Sequence, residues 1–150
     1  MVIGIFGESC TGKSTLAEAL NAATGARIFT GKDYLRLAKS EDMAKQQFRA
    51  LLTGAVPGED VIYVITEKAH LAFLPEGALR VLVTAELSTI RARFAARMGG
   101  TLPPPVEKML ERKHGLFDHV PHHIHIHTDT EDTAAAAAKI LAASKIGAGQ

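Results

Sequence analysis

Residues 2–15 read VIGIFGESCTGKST, and this stretch decides the fold. Its first five residues are a continuous apolar run without polar alternation, which is typical of a strand covered on both faces of a parallel sheet. Residues 7–14 then fit the pattern G-x-x-x-x-G-K-[ST], and the matching positions are Gly7, Gly12, Lys13 and Ser14. The stretch therefore predicts a strand, a tight loop and a helix that runs to about Thr24, where Gly25 ends it.

A loop of this composition binds phosphate groups. Glycine allows backbone angles that turn consecutive N–H groups inward, and the helix N-terminus adds a partial positive charge. We expect Lys13 to reach the β- and γ-phosphates of a nucleoside triphosphate and the Ser14 hydroxyl to bind Mg²⁺. The predicted cofactors are ATP and Mg²⁺, and the predicted nucleotide-binding residues are Gly7, Glu8, Ser9, Cys10, Thr11, Gly12, Lys13, Ser14 and Thr15.

Short apolar runs alternate with helical patterns along the rest of the chain. Strands are predicted at 27–29, 61–66, 79–85 and 123–128, and helices between Ser40 and Gly54, at 87–98, at about 105–114 and at 130–144 with Thr130 as the cap. The last residues, 145–150, are expected to fray. Strand and helix alternate five times, which predicts an α/β fold with a parallel sheet.

Composition limits the functions to consider. The chain has 150 residues, of which 47% are hydrophobic, and a formal net charge of +1. This predicts one domain over 1–150, and no net charge that would attract a nucleic acid polymer or a membrane surface. One cysteine and no apolar stretch of membrane-spanning length favour a cytoplasmic protein. The oligomeric state stays open.

The remaining motifs favour a small phosphotransferase. No N-K-x-D tetrapeptide of the GTPase type is present. Arg93 and Arg97 are four residues apart on one predicted helix, where they are placed to close over phosphates and act in catalysis. Asp33 follows the second strand and is a candidate base for an acceptor hydroxyl. Glu67 ends the third strand, where an acidic residue can hold Mg²⁺ through water.

The chain resembles the nucleoside monophosphate kinases, and the cytidylate kinases in particular. Thr30, Gly31 and Tyr34, with Arg36 close behind, resemble the T-G-x-x-Y-R segment of that family. Further similarity lies in residues 83–97, 110–118 and 123–141. The resemblance implies a P-loop kinase fold with strand order 2-3-1-4-5 and helices on both faces.

The same resemblance implies where the phosphate acceptor binds. An acceptor region at about 30–58 and a short lid at about 97–106 are expected, with Gly31, Asp33, Tyr34 and Arg36 as acceptor-binding residues. Only about 30 residues separate the second and third strands, which leaves no room for the added segment that recognises cytosine in cytidylate kinases. The base specificity therefore stays open, while the resemblance implies that the small-molecule acceptor is a nucleoside monophosphate. A hydroxyl-directed metabolite kinase of the shikimate or gluconate type, or an ATP-binding regulator, stays open.

The histidines of the last strand and the cysteine of the phosphate loop each allow a prediction. His123, His125 and His127 alternate along the last strand, and alternate strand residues lie near 7 Å apart, so one ion would bridge two of them at best. We expect this face to be a solvent-exposed edge. Cys10 lies within the phosphate loop, where the helix N-terminus and Lys13 favour a thiolate that faces the phosphates.

Overall fold

The computed structural model describes the backbone of residues 1–148 and the side chains of residues 1–144. The strands are β1 (Val2–Phe6), β2 (Arg27–Thr30), β3 (Val61–Ile65), β4 (Leu79–Thr84) and β5 (Ile124–His127). The α-helices are α1 (Lys13–Thr24), α2 (Glu41–Ala55), α3 (Leu87–Arg97), α4 (Pro104–Lys113) and α5 (Thr133–Ala148). Two 3₁₀ helices, Asp33–Leu37 and Lys68–Phe73, follow β2 and β3.

The five strands form one parallel sheet in the order β2-β3-β1-β4-β5. This confirms the fold that the sequence predicted. All residues of β1 are buried, because the strand lies at the centre of the sheet and both faces are covered. The carboxyl ends of β1, β2 and β3 therefore meet at one edge of the sheet, where open α/β folds bind ligands.

Each face of the sheet has its own core. On one face, α2 packs an aromatic cluster in which the Phe48 ring lies 5.2 Å from Phe73 and 4.8 Å from Tyr63 between centroids. On the other face, α1 and α5 bury an aliphatic cluster that includes Leu20 and Ile140. The alternation of strand side chains between these two cores holds the sheet in register.

Side-chain hydrogen bonds cap α2 and α5, and the cap predicted for α5 is wrong. Ser40 caps α2 through a hydrogen bond from the Met43 N–H at 3.2 Å, as predicted, although α2 runs on through the predicted stop at Gly54 to Ala55. Asp132, and not Thr130, caps α5: its carboxylate accepts the Ala135 N–H at 2.7 Å. The Thr130 hydroxyl instead donates to a carbonyl of β5.

The C-terminal end of the chain also differs from expectation. α5 continues to Ala148, so residues 145–148 are helical where fraying was predicted. Gly149 and Gln150 lie outside the described residues.

β5 forms the outer edge of the sheet, as the alternating histidines predicted. Ile124 and Ile126 are buried, whereas His123 and His125 are exposed. Within the part of the chain that the structure describes, no three His, Cys, Asp or Glu side chains converge on a possible metal site. No helix among the same residues is long and apolar enough to cross a membrane.

A substitution at Gly7 tests how closely the end of β1 packs against β4. A Cβ atom at Gly7 would lie 2.1 Å from the Val83 carbonyl oxygen, a backbone atom of the neighbouring strand. We expect Gly7→Ala to lower the free energy of unfolding by at least about 2 kcal/mol, because the backbone itself must move. Chemical denaturation measures the loss. Gly54→Ala is the matched control, since nothing lies within 4 Å of its Cβ and alanine favours a helix. Equal stability of the two variants would contradict the tight fit.

Candidate active site

The phosphate loop joins β1 to α1 at the carboxyl edge of the sheet. Gly12 begins α1 with φ of 99°, a left-handed angle that favours glycine, and no side chain caps the helix there. The first N–H groups of α1 are therefore free to bind an anion. A cavity of about 110 Å³ lies over this point and is lined by Ser9, Cys10, Gly12, Lys13, Ser14, Thr15, Thr30, Val64, Thr66 and Arg97. We call it the phosphate cavity.

Lys13 supplies positive charge from inside the loop. Its side chain is 5% exposed, and its ammonium donates a hydrogen bond to the Glu8 carbonyl. The pKa of Lys13 is lowered from its ordinary 10.5 to about 8, chiefly because burial desolvates the ammonium. The positive charge of Arg97 acts in the same direction, and Cys10 and Glu8 oppose it. A phosphate group next to this ammonium would relieve that electrostatic cost.

The two predicted arginines of α3 have different surroundings. Arg97 is exposed and lines the phosphate cavity, so its guanidinium is available to a phosphate. Arg93 already has oxygen partners, because its guanidinium donates to the Cys10 carbonyl at 3.0 Å and to the Thr128 hydroxyl at 3.4 Å. Arg93 therefore joins α3 to the phosphate loop.

A second cavity, of about 510 Å³, extends from the phosphate loop across α1 towards the start of α5. We call it the nucleoside cavity. Arg93, Ala96 and Arg97 of α3 form one wall, and Leu16, Ile126 and Ala136 supply apolar surface. Thr128 also lines this cavity and donates to the Thr11 carbonyl at 2.8 Å, which fixes the loop against β5. Its size and its contact with the phosphate loop suit the base and sugar of a nucleotide.

A third cavity, of about 200 Å³, lies on the opposite side of the phosphate loop, between the end of β3 and α4. We call it the acceptor-side cavity. Its inner wall is apolar and consists of Ile90, Leu110 and Phe117, which are all buried. Its polar lining residues are Glu8, Ser9, Thr66, Glu67 and Lys113. The phosphate loop thus separates two cavities, which is the arrangement that transfer of a phosphoryl group between two bound molecules requires.

Glu8 connects the loop to α4. Its side chain is 8% exposed, and its carboxylate accepts hydrogen bonds from His114 Nδ1 at 3.1 Å and from the Gly115 N–H at 3.2 Å. Its carbonyl accepts from the Lys13 ammonium and from the Thr11 hydroxyl. Sequence reasoning assigned Glu8 only to nucleotide binding and missed His114 and Gly115, because no local pattern signals a contact across more than 100 residues.

Tyr34, which was predicted to bind the acceptor, lies in the aromatic core, while the acceptor region at about 30–58 stays a prediction. The Tyr34 side chain is 3% exposed, and its ring stacks on Phe48 with centroids 5.5 Å apart. Burial in the aromatic core prevents Tyr34 from acting as an acceptor-binding residue. Gly31 likewise contributes structure: its carbonyl accepts the Tyr63 hydroxyl at 2.8 Å.

Asp33 and Arg36 lie outside the three cavities. The Asp33 carboxylate accepts the Thr30 N–H at 2.9 Å and pairs with Arg36 at 3.9 Å. The Arg36 side chain is 85% exposed. Asp33 is nevertheless hydrogen-bonded to Thr30, which lines the phosphate cavity, and the roles predicted for Asp33 and Arg36 in catalysis and acceptor binding stay predictions.

The Cys10 thiol also differs from expectation. Cys10 adopts a left-handed backbone angle, φ of 63°, and its side chain is buried in an apolar cluster with Ala85, Ile90 and Leu110. The prediction that the thiol faces the phosphates is therefore wrong, because the turn directs the Cys10 side chain towards α3 and α4. The Cys10 backbone remains part of the loop through its bond to Arg93.

The residues predicted to bind Mg²⁺ suit a hard cation that prefers oxygen ligands. Ser14 is exposed at the first turn of α1, beside the phosphate cavity that it helps to line. The Glu67 side chain is 62% exposed and pairs with His70 at 3.6 Å. The Ser14 hydroxyl and the Glu67 carboxylate would hold the metal. When bound with a nucleotide, Mg²⁺ supplies charge neutralisation at the phosphates.

Comparison with known proteins identifies the fold. No protein-family model and no curated protein matches the chain. Among solved structures, the YorR protein of Bacillus subtilis in complex with phosphorylated GDP superimposes with a TM-score of 0.69 at 18% identity, over 100% of this chain and 99% of that chain. A gluconokinase from Sinorhizobium meliloti gives a TM-score of 0.63 at 15% identity, with 99% and 94% covered.

A shikimate kinase from Acinetobacter baumannii in complex with shikimate is also similar, with a TM-score of 0.60 at 17% identity over 93% of this chain and 90% of that chain. The strand order, the helices on both faces and these neighbours together show a P-loop kinase fold. At such low identity the likeness concerns the fold, so the activity must be argued from the site.

Lys13 makes the stability of the protein depend on pH. Its pKa is 10.5 in the unfolded chain and about 8 in the folded protein, so the unfolded chain holds more protons between these values. The wild-type protein therefore gains stability as the pH rises from about 8 to 10.5, and the full cost of the buried charge is present below pH 8. We expect Lys13→Met to be more stable at pH 7 by up to about 3 kcal/mol.

Urea denaturation of both proteins at pH 7 and at pH 10 measures this difference, which we expect to shrink at the higher pH. Lys39→Met, at an exposed lysine, is the control for the loss of a surface charge. A Lys13→Met protein no more stable than the wild type at pH 7 would show that the ammonium is not desolvated.

Proposed function

We propose that the protein is an ATP- and Mg²⁺-dependent kinase that phosphorylates a hydroxyl group of a small metabolite. The observation that carries this proposal is the acceptor-side cavity, which adjoins the phosphate loop opposite the nucleoside cavity. The similarity in fold to a gluconokinase and a shikimate kinase supports it. Lys13 and Arg97 supply the positive charge that phosphoryl transfer needs around the transferring group.

Size and charge of the acceptor-side cavity favour a small hydroxyl compound. Its volume of about 200 Å³ lies below the range of about 300–1,000 Å³ usual for drug-sized ligands. Its charged lining residues are Glu8, Glu67 and the single cation Lys113. An acceptor phosphate is bound best by several cations, and by arginine in particular, which this lining does not provide.

A second candidate is the nucleoside monophosphate kinase activity that the sequence resemblance implied. One observation favours it: the similar YorR structure holds phosphorylated GDP. That activity would need the acceptor phosphate to be held from outside the acceptor-side cavity, and Arg36 is exposed near the end of β2.

A panel of acceptors with γ-labelled ATP and Mg²⁺ separates these functions. We expect labelled phosphate to appear as an ester on one of a set of uncharged polyols, sugars and small hydroxy compounds. Labelled nucleoside diphosphate formed from a nucleoside monophosphate would instead establish the second candidate. Mg·ATP binding without transfer to any acceptor or to water would leave a nucleotide-binding regulator.

The two arginines of α3 provide a sharper test of the site. We expect Arg97→Ala to lower kcat at least tenfold with little effect on the melting temperature, because its guanidinium faces the phosphate cavity and is exposed. Arg93→Ala should weaken Mg·ATP binding and lower the melting temperature, because it removes the bond between α3 and the Cys10 carbonyl. Steady-state kinetics and thermal melts measure both. Identical effects of the two changes would contradict the separate roles.

A further inference from the structure

Glu8 reaches both sides of the phosphate loop. Its carbonyl accepts a hydrogen bond from Lys13, the lysine of the phosphate cavity, whereas its side chain lines the acceptor-side cavity. Glu8 precedes Ser9, which lines both the phosphate cavity and the acceptor-side cavity.

The carboxylate of Glu8 is held firmly in place. An ionised carboxylate only accepts hydrogen bonds, so His114 Nδ1 carries the hydrogen of the 3.1 Å contact. The Gly115 N–H donates to the second oxygen at 3.2 Å, and Gly115 has φ of 81°, an angle that turns the chain sharply after α4. Two N–H donors offset the cost of burying the charge, and each oxygen keeps a lone pair for a further donor.

Asp33, the carboxylate that the sequence predicted as the base, does not line the acceptor-side cavity. It caps the Thr30 N–H and pairs with Arg36, outside the acceptor-side cavity. Glu67 does line this cavity, but its side chain is mostly exposed and lies 3.6 Å from His70. Glu8 is therefore the carboxylate of this cavity that is both buried and fixed by two donors.

We propose that Glu8 is a catalytic residue that binds the acceptor's hydroxyl and takes its proton, with His114 and Gly115 as positioning residues. This inference rests on the proposed kinase function. Glu8 accepts the hydroxyl proton as the acceptor oxygen bonds to the γ-phosphorus, and the bond from that phosphorus to the β,γ-bridging oxygen breaks. The electron pair of the broken bond leaves with ADP, and the proton on Glu8 passes to solvent.

Several charged groups surround the Glu8 carboxylate. His114 faces it from the end of α4, and Lys113 and Glu67 line the same cavity. Lys13 donates to the Glu8 carbonyl from the phosphate cavity.

The experiment uses water as the acceptor. Phosphate release from Mg·ATP without added acceptor is measured for the wild type, for Glu8→Gln and for Glu111→Gln, with Mg·ATP binding followed by calorimetry. Glu111 lies on α4 and pairs with Arg91 away from the acceptor-side cavity, so Glu111→Gln is the matched control. We expect Glu8→Gln to lower kcat about 10²-fold with unchanged Mg·ATP affinity, and the control to keep the wild-type rate.

The same assay tests the positioning role of His114. His114→Gln retains an N–H donor and should keep most of the rate, whereas His114→Leu should lower kcat about tenfold. Equal turnover of Glu8→Gln and the wild type would overturn this inference and leave the kinase function intact. A Glu8→Gln protein that loses Mg·ATP binding or melts early would assign Glu8 a structural role and also overturn it. The comparison is repeated with any acceptor that the panel identifies, and a wild type that transfers phosphate neither to water nor to any acceptor would overturn the proposed function and the inference together.

Discussion

The site depends on one steric constraint, the position of β1 between β3 and β4. Gly7 donates its N–H to the Ile65 carbonyl at 3.2 Å, and the Val83 carbonyl leaves no space for a side chain there. The chain must therefore turn at the end of β1, and the turn becomes the phosphate loop. The acceptor-side cavity and the nucleoside cavity share no lining residue, and α3, which follows β4, contributes to the wall of each.

Positive and negative side chains at the phosphate loop line different cavities. Lys13 and Arg97 line the phosphate cavity, and their mutual repulsion contributes to the lowered pKa of Lys13. Glu8 directs its negative charge to the opposite side, where N–H donors from the end of α4 satisfy it. A bound phosphate would relieve the repulsion on one side, and in the proposed mechanism the buried carboxylate on the other side accepts a hydrogen bond from the acceptor's hydroxyl. In that mechanism a single loop separates the two halves of the phosphoryl transfer.

Features with a short-range cause could be predicted from the sequence. The strand order, the phosphate loop and the Ser40 cap follow from local patterns or from the resemblance they carry. The environment of Tyr34 could not be predicted, because an aromatic residue after a strand is equally compatible with a binding site and with a core. Contacts with the distant residues Phe48 and Phe73 place its ring in the core. The Glu8–His114 contact could not be predicted either, because it joins residues far apart in the sequence. Cys10 was misread because its left-handed backbone angle redirects the side chain.

The central position of β1 also has a kinetic consequence. Both of its neighbours lie far along the chain, since β3 begins at Val61 and β4 at Leu79. At a synthesis rate of roughly 5–20 residues per second, β1 waits on the order of 4–15 s for its second neighbour to be made. The loop that follows β1 contacts both neighbours, because Gly7 donates to Ile65 and abuts the Val83 carbonyl. β1 is thus synthesised well before both of its neighbours, and an apolar strand remains uncovered in the meantime.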